Sequence, residues 1–105
     1  MARKGCFEVI KMKFTFYHCT DESGKAKLVT EGIEKFLKKN ASNTSCTISH
    51  EVNNLMDTDV VVTVEFSKRI SLNTGINIIS QVLGSKMKRL MYENLTEQMI
   101  ISVLG

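Results

Sequence analysis

The residues in this chain that could do chemistry are few: Cys6, Cys19, Cys46, His18 and His50. Cys19 is the one placed for thiol chemistry. It follows the apolar-alternating run Phe7 to Tyr17 and precedes a stretch expected to be helical from about Gly24. A helix N-terminus favours a thiolate. Disulfide exchange also needs a resolving thiol, and the positions three residues either side of Cys19 hold Phe16 and Glu22. His18 is adjacent to Cys19, but neighbouring residues of an extended chain point to opposite sides. His18 is therefore expected as a surface loop residue. His50 alternates with Cys46, Ile48 and Val52 and is expected to be partly buried and hydrogen-bonded. Three cysteines with neither CxxC nor CxxxC spacing argue against a zinc site or a disulfide framework. No two carboxylates stand out as an acid–base couple, and there is no GxxxxGK[ST] or GxGxxG phosphate loop. The chain is expected not to be an enzyme, with no cofactor, no metal and no small-molecule substrate.

What remains is positive charge. Fourteen basic residues against eleven acidic ones leave a formal charge of +3, which permits contact with a phosphate backbone without demanding it. The basic residues cluster. Lys86, Lys88 and Arg89 form the densest group and have no acid among them; Lys68 and Arg69 come next, then Arg3 and Lys4. Each cluster reads either as solvated surface charge or as phosphate contact, where every neutralised phosphate releases counterions. If RNA is bound, these seven residues are the expected contacts, in that order. No interleaved aromatics point to base stacking, so sequence-specific reading of single strands is not indicated.

The elements that must position these residues are organised around Asp59–Phe66. Val60, Val62, Val64 and Phe66 fall on one face of a period-two run, as expected for a central strand under a helical layer. The first strand is expected over 7–17, with Ile10, Met12, Phe14 and Phe16 facing the core. Phe7, Val9, Lys11, Lys13 and Thr15 lie on its other face. A helix is expected from about Gly24 to Lys39, capped by Thr20, Asp21 or Ser23, with Val29, Ile33, Phe36 and Leu37 on its apolar stripe. Gly32 inside it costs on the order of 1 kcal/mol against alanine, so close approach to the sheet is its expected reason. A second strand is expected over 45–52. Ser67 and Lys68 give hairpin spacing to a short fourth strand over 69–72. A last helix, capped by Asn73 or Thr74, is expected to run through about Asn94, with Gly84 a kink or break. Thr96–Gly105 is apolar beyond a domain of residues 1–95. This extension reads either as a last strand or helical turn on the domain's own surface, or as a tail that docks on another chain.

The expected order is β-α-β-β-β-α plus a tail. A helix of about fifteen residues between the first two strands supports a parallel, right-handed β-α-β unit. The third strand would then run antiparallel and hairpin to the fourth. That is an α/β, thioredoxin-like layout with a four-stranded mixed sheet. Redox members keep a shaping proline before the third strand. Asp57 and Thr58 stand there instead, since the chain has no proline. Cys19 is therefore not expected to act as a redox nucleophile.

Read as Ile10-Lys11-Met12-Lys13-Phe14-Thr15-Phe16, Ser42-Asn43-Thr44-Ser45-Cys46, Asp59 to Phe66 with its continuation to Leu72, and the helix from Thr74, the chain resembles the family of mitochondrial large-ribosomal-subunit protein fifty-three. The resemblance runs from about Val9 to Met87. The chain departs from it at Tyr17 and His18, where a proline is missing, and past Met91. The resemblance implies a thioredoxin-like structural constituent of the mitochondrial large ribosomal subunit, with ribosomal RNA and neighbouring mitoribosomal proteins as partners. A second resemblance, to a small thioredoxin-like accessory subunit of respiratory complex I, implies a different assembly in the same organelle. Both imply a mitochondrial location.

The size suits one domain. An apolar share of 43% is ordinary for a globular protein. No run of about eighteen apolar residues marks a membrane span, so no membrane insertion is expected. Arg3 and Lys4 are followed by no apolar signal core, so secretion is not expected.

Overall fold

The computed structural model describes residues 8–54, 58–84, 90–94 and 98–104. It is α/β, with two helices on one five-stranded mixed sheet. In chain order the elements are β1 (Glu8–Tyr17), α1 (Glu22–Asn40), β2 (Cys46–Asn53), β3 (Asp59–Ser71), α2 (Leu72–Leu83), β4 (Leu90–Asn94) and β5 (Gln98–Leu104). The sheet order is β2-β3-β1-β5-β4. Among these elements the first helix and the central strand behave as their patterns require. The apolar stripe of α1 buries Ala26, Val29, Ile33 and Leu37, and Asp21 caps it by accepting from the Gly24 amide at 3.1 Å. In β3, Val60, Val62 and Val64 are fully buried and Phe66 nearly so. Burial of each such side chain stabilises by roughly 1.5–3 kcal/mol.

The sheet is not wired as expected. β3 is antiparallel to both β1 and β2 and lies between them. β1 and β2 therefore point the same way without touching, which is a split β-α-β arrangement. The parallel neighbour of β1 is β5, with Met12 opposite Met99, Phe14 opposite Ile101 and Phe16 opposite Val103. The final apolar run, read either as a last strand or helical turn on the domain's surface or as a tail that docks on another chain, is thus a strand, and an inner one. Met99 and Ile101 are fully buried, and Val103 is buried at its end. Both helices cover one face of the sheet, where the core gathers. The other face carries Lys11, Lys13, Thr15, Val61, Thr63, Glu65, Ile100 and Ser102, none of them buried.

Three further expectations need correction. Ser67–Lys68 is not a hairpin. β3 continues through it, with Ser67, Lys68 and Arg69 exposed in succession and Ile70 buried again. The irregularity lies opposite Ile10: Val9 pairs with Ile70, while Lys11 already pairs with Glu65. The same shift turns Val9 into the core, 2% exposed, and leaves Ile10 half-buried. A bulge of this kind re-aims side chains without reversing the chain. α2 begins two or three residues earlier than expected, because Ser71 at the end of β3 is its cap, with its hydroxyl accepting from the Thr74 amide at 3.1 Å. It also ends earlier. Gly84 adopts φ 59°, ψ −152°, a region essentially reserved for glycine, so Gly84 is a stop and not a kink. Leu90–Asn94, expected on the helix, is β4 and pairs antiparallel with β5.

Gly32 does mark a close approach, but to a helix. A Cβ there would sit 2.8 Å from the Cα of Val82 in α2. The small residue lets the two helices share one face of the sheet.

Candidate functional site

The strand directions give the molecule two ends. At the first, β1 and β2 finish, β3 starts, α1 begins and α2 stops. At the second, α1 finishes, β2 and β1 start, and β3 runs through its bulge into the cap of α2. The residues with chemical potential sort onto these ends.

Cys19 is at the first, half-buried against the core. Its amide donates to the Thr58 carbonyl at 2.9 Å, so the segment before β3 meets the main chain of Cys19. His18 is exposed, as expected, and holds φ 55°, a left-handed conformation that histidine tolerates better than most residues. Its amide donates to the Asp59 carboxylate at 3.2 Å. His50 is hydrogen-bonded, but it is exposed where partial burial was expected: its ring lies 2.7 Å from Glu22 in the first turn of α1, with 43% of the side chain accessible. The carboxylates here are engaged in local architecture, with Asp21 on the helix cap, Glu22 on His50 and Asp59 on the loop. Lys25 adds its ammonium 5.3 Å from the centre of the Phe16 ring. Among the described residues no group of three or more His, Cys, Asp or Glu side chains could hold a metal ion, and no helix is long and apolar enough to cross a membrane.

The second end gathers amines. Lys38 and Lys39 form the last turn of α1, where the carbonyl end of the helix dipole favours cations. The loop that follows is tied to the bulge of β3: the Ser67 amide donates to the Ser45 carbonyl at 2.8 Å, and the Ser45 amide donates to the Ser67 hydroxyl at 3.0 Å. This brings Lys68 and Arg69 to the same end as Lys38 and Lys39. Arg69 stands 3.8 Å from Glu8, an exposed pair of the kind that contributes at most about 1 kcal/mol. The first turn of α2 beside them contains no acid.

Cys46 begins β2 at this end. It lines a groove of 360 Å³ with Glu34, Leu37, Lys38 and Thr44. Burial pushes its thiol pKa above the ordinary value, and the nearby Glu34 carboxylate adds to the shift. The thiol is kept protonated and therefore poorly nucleophilic. Cys19 and Cys46 are both free thiols and sit at opposite ends of the sheet.

Of the seven expected RNA contacts, Lys68 and Arg69 are exposed on the bulge. Arg3, Lys4, Lys86, Lys88 and Arg89 lie outside the described residues, as does Cys6. Lys38 and Lys39 were not among the seven. A lysine pair in the last turn of a helix is common, and their proximity to the bulge depends on a contact between residues 22 positions apart.

No family model matches this chain, and no curated protein or solved structure matches it.

Proposed function

We propose that the protein is a non-catalytic constituent of the mitochondrial large ribosomal subunit, contacting ribosomal RNA through its amine-rich end and neighbouring proteins through the rest of its surface. The observation that carries this reading is the gathering of Lys38, Lys39, Lys68 and Arg69 around the Ser45–Ser67 hydrogen bonds. Four cations on one end suit a run of phosphates, with an affinity that falls as salt rises. The choice of assembly rests on the family resemblance of residues 9–87. Lys86, Lys88 and Arg89 remain the densest cluster in the sequence and belong to the same proposal.

The thioredoxin-like identity also belongs here. In its favour, β5, β1, β3 and β2 repeat the strand directions of such a sheet: one parallel pair followed by two antiparallel ones. Against it, the strand parallel to β1 is the last in the chain and not the second.

The test is sedimentation of the native protein from gently lysed mitochondria. The proposal expects migration with large ribosomal subunits, lost after nuclease treatment. Migration with a nuclease-resistant membrane complex would instead favour an accessory subunit of respiratory complex I.

A further inference from the structure

The sheet ends on one side in β2, an edge that lacks the usual protections. Natural edge strands are kept from pairing with other chains by lysine, proline, bulges, shortness or a covering element. β2 has eight residues, Cys-Thr-Ile-Ser-His-Glu-Val-Asn, with no lysine, arginine or proline. It pairs with β3 in unbroken register from Cys46–Phe66 to Asn53–Asp59, so it has no bulge. The Ser67 amide donates to the Ser45 carbonyl, which carries that register one pair further. In an antiparallel ladder the main-chain groups of alternate residues point to the same side. Those of Thr47, Ser49 and Glu51 therefore point to β3 like Ser45's, and those of Cys46, Ile48, His50 and Val52 point outward. Among the described residues no hydrogen bond reaches this outer row. Cys46, Ile48 and Val52 are also only partly buried against the core, so a strand added here would complete their cover.

The strand matches itself. A two-fold axis at Ser49 opposes Ser49 to its own copy, Thr47 to Glu51, Ile48 to His50 and Cys46 to Val52. This register sets outward residues against outward residues, as main-chain bonding requires, and it uses nearly the whole strand. On the helix-covered face Cys46 closes on Val52. On the open face each Glu51 meets a threonine hydroxyl, which can donate to it. No like charges are opposed, and Glu65, beside Thr47 in β3, is matched by Lys11 across β1. The bordering helix agrees. Glu22 of α1 lies on His50, while Glu34 and Lys38 line the groove at Cys46. The axis brings the His50 end of each strand to the Cys46 end of the other, so Glu22 of one copy approaches Lys38 of the second.

We propose that β2 pairs antiparallel with β2 of a second copy of this chain, about a two-fold axis at Ser49, joining the two sheets into one. Main-chain hydrogen bonds supply the affinity, and the self-complementary side chains supply the choice of partner and register. The inference does not depend on the proposed RNA contact.

The experiment uses the full chain. Sedimentation equilibrium is expected to show monomer and dimer in exchange, and hydrogen exchange at the amides of Ile48, His50 and Val52 is expected to slow as concentration rises. A single-chain mass at every concentration would overturn the proposal. Ser49→Lys and Ser49→Glu each set two like charges against one another on the axis and should weaken dimerisation by about fivefold or more. Mixing the two variants should restore it. Ser49 is exposed, so neither change should alter the circular dichroism of the fold. Dimerisation of unchanged strength in both variants would put the interface elsewhere. The axis pair is a non-hydrogen-bonded one, with Cα atoms about 4.5 Å apart, inside the disulfide range of roughly 4.4–6.8 Å. Mild oxidation of Ser49→Cys should therefore give a covalent dimer, mapped by mass spectrometry to position 49 of both copies, and Thr47→Cys should give none through position 47. Equal cross-linking at the two positions, or none at position 49, would overturn the axis at Ser49.

Discussion

The two ends of the sheet are made from the same elements and have opposite character. At the thiol end the polar groups hold the chain in place: Asp21 caps α1, Asp59 fixes the turn at His18, and Glu22 binds His50. At the amine end serines at Ser45, Ser67 and Ser71 and the amide of Asn40 hold the backbone, and the long cationic side chains are exposed. Cys19 sits where a thiol could be activated, yet its surroundings are a cap, a turn and a core. Lys38, Lys39 and Lys68 are exposed; Lys38 and Lys39 suit the carbonyl end of the α1 dipole, and the proposed RNA contact would use all three together.

One core lies under both ends, and the largest expected effects come from breaking it. Val62→Asp in β3 and Ile101→Asp in β5 each put an unpaired charge at a fully buried position. Each should destabilise by several kcal/mol, which denaturant melts would read as loss of a cooperative transition. If Ile101→Asp melted like the unchanged protein, β5 would be an appendage and the two ends would not share a body. A smaller effect is expected where α1 and α2 meet. Gly32→Ala gains helix propensity but drives its Cβ into the Val82 backbone, for a net loss of about 1–3 kcal/mol. A gain in stability would mean that the helices are free to move apart.

The smallest effect sharpens the contrast between the two thiols. The folded protein holds the Cys46 thiol pKa above its usual value, so the thiol's contribution to stability is complete below the unfolded pKa. Above about pH 8.5 the unfolded chain loses this proton first, and stability falls until the folded pKa is passed. Glu34→Gln removes the secondary cause of the shift. It should make that decline shallower and should speed alkylation of Cys46. An unchanged slope would mean that burial alone sets the thiol.

Much of this was legible in the residues, and the failures have physical causes. Val60, Val62, Val64 and Phe66 declared β3, and α1 followed from its stripe. Ile70 is in phase with Phe66, and that parity was the sign that β3 runs through Ser67–Arg69. The hairpin-like spacing of Ser67–Lys68 hid it. Met99, Ile101 and Val103 alternate as a strand should. Their place beside β1 was not legible, because β2 offers β1 a similar apolar face and only packing decides between them. Leu90 and Met91 continued the spacing of α2, while the conformation of Gly84 ended it. At the amine end, Lys68 and Arg69 were visible as a cluster. Their union with Lys38 and Lys39 depends on two hydrogen bonds between Ser45 and Ser67, and nothing in a local pattern announces a contact of that range.

Under the proposed function, Lys38, Lys39 and Lys68 at the amine end meet RNA. The direct measurement is retention on large ribosomal subunits in mitochondrial gradients, comparing two charge reversals that leave the core untouched. Lys38→Glu, Lys39→Glu and Lys68→Glu together alter the amine end. Lys27→Glu, on the exposed face of α1 near the thiol end, is the control. The account predicts that the triple variant leaves the subunit fraction, increasingly as salt is raised, while the control stays with the unchanged protein. Equal retention of both variants, or loss of the control alone, would contradict it.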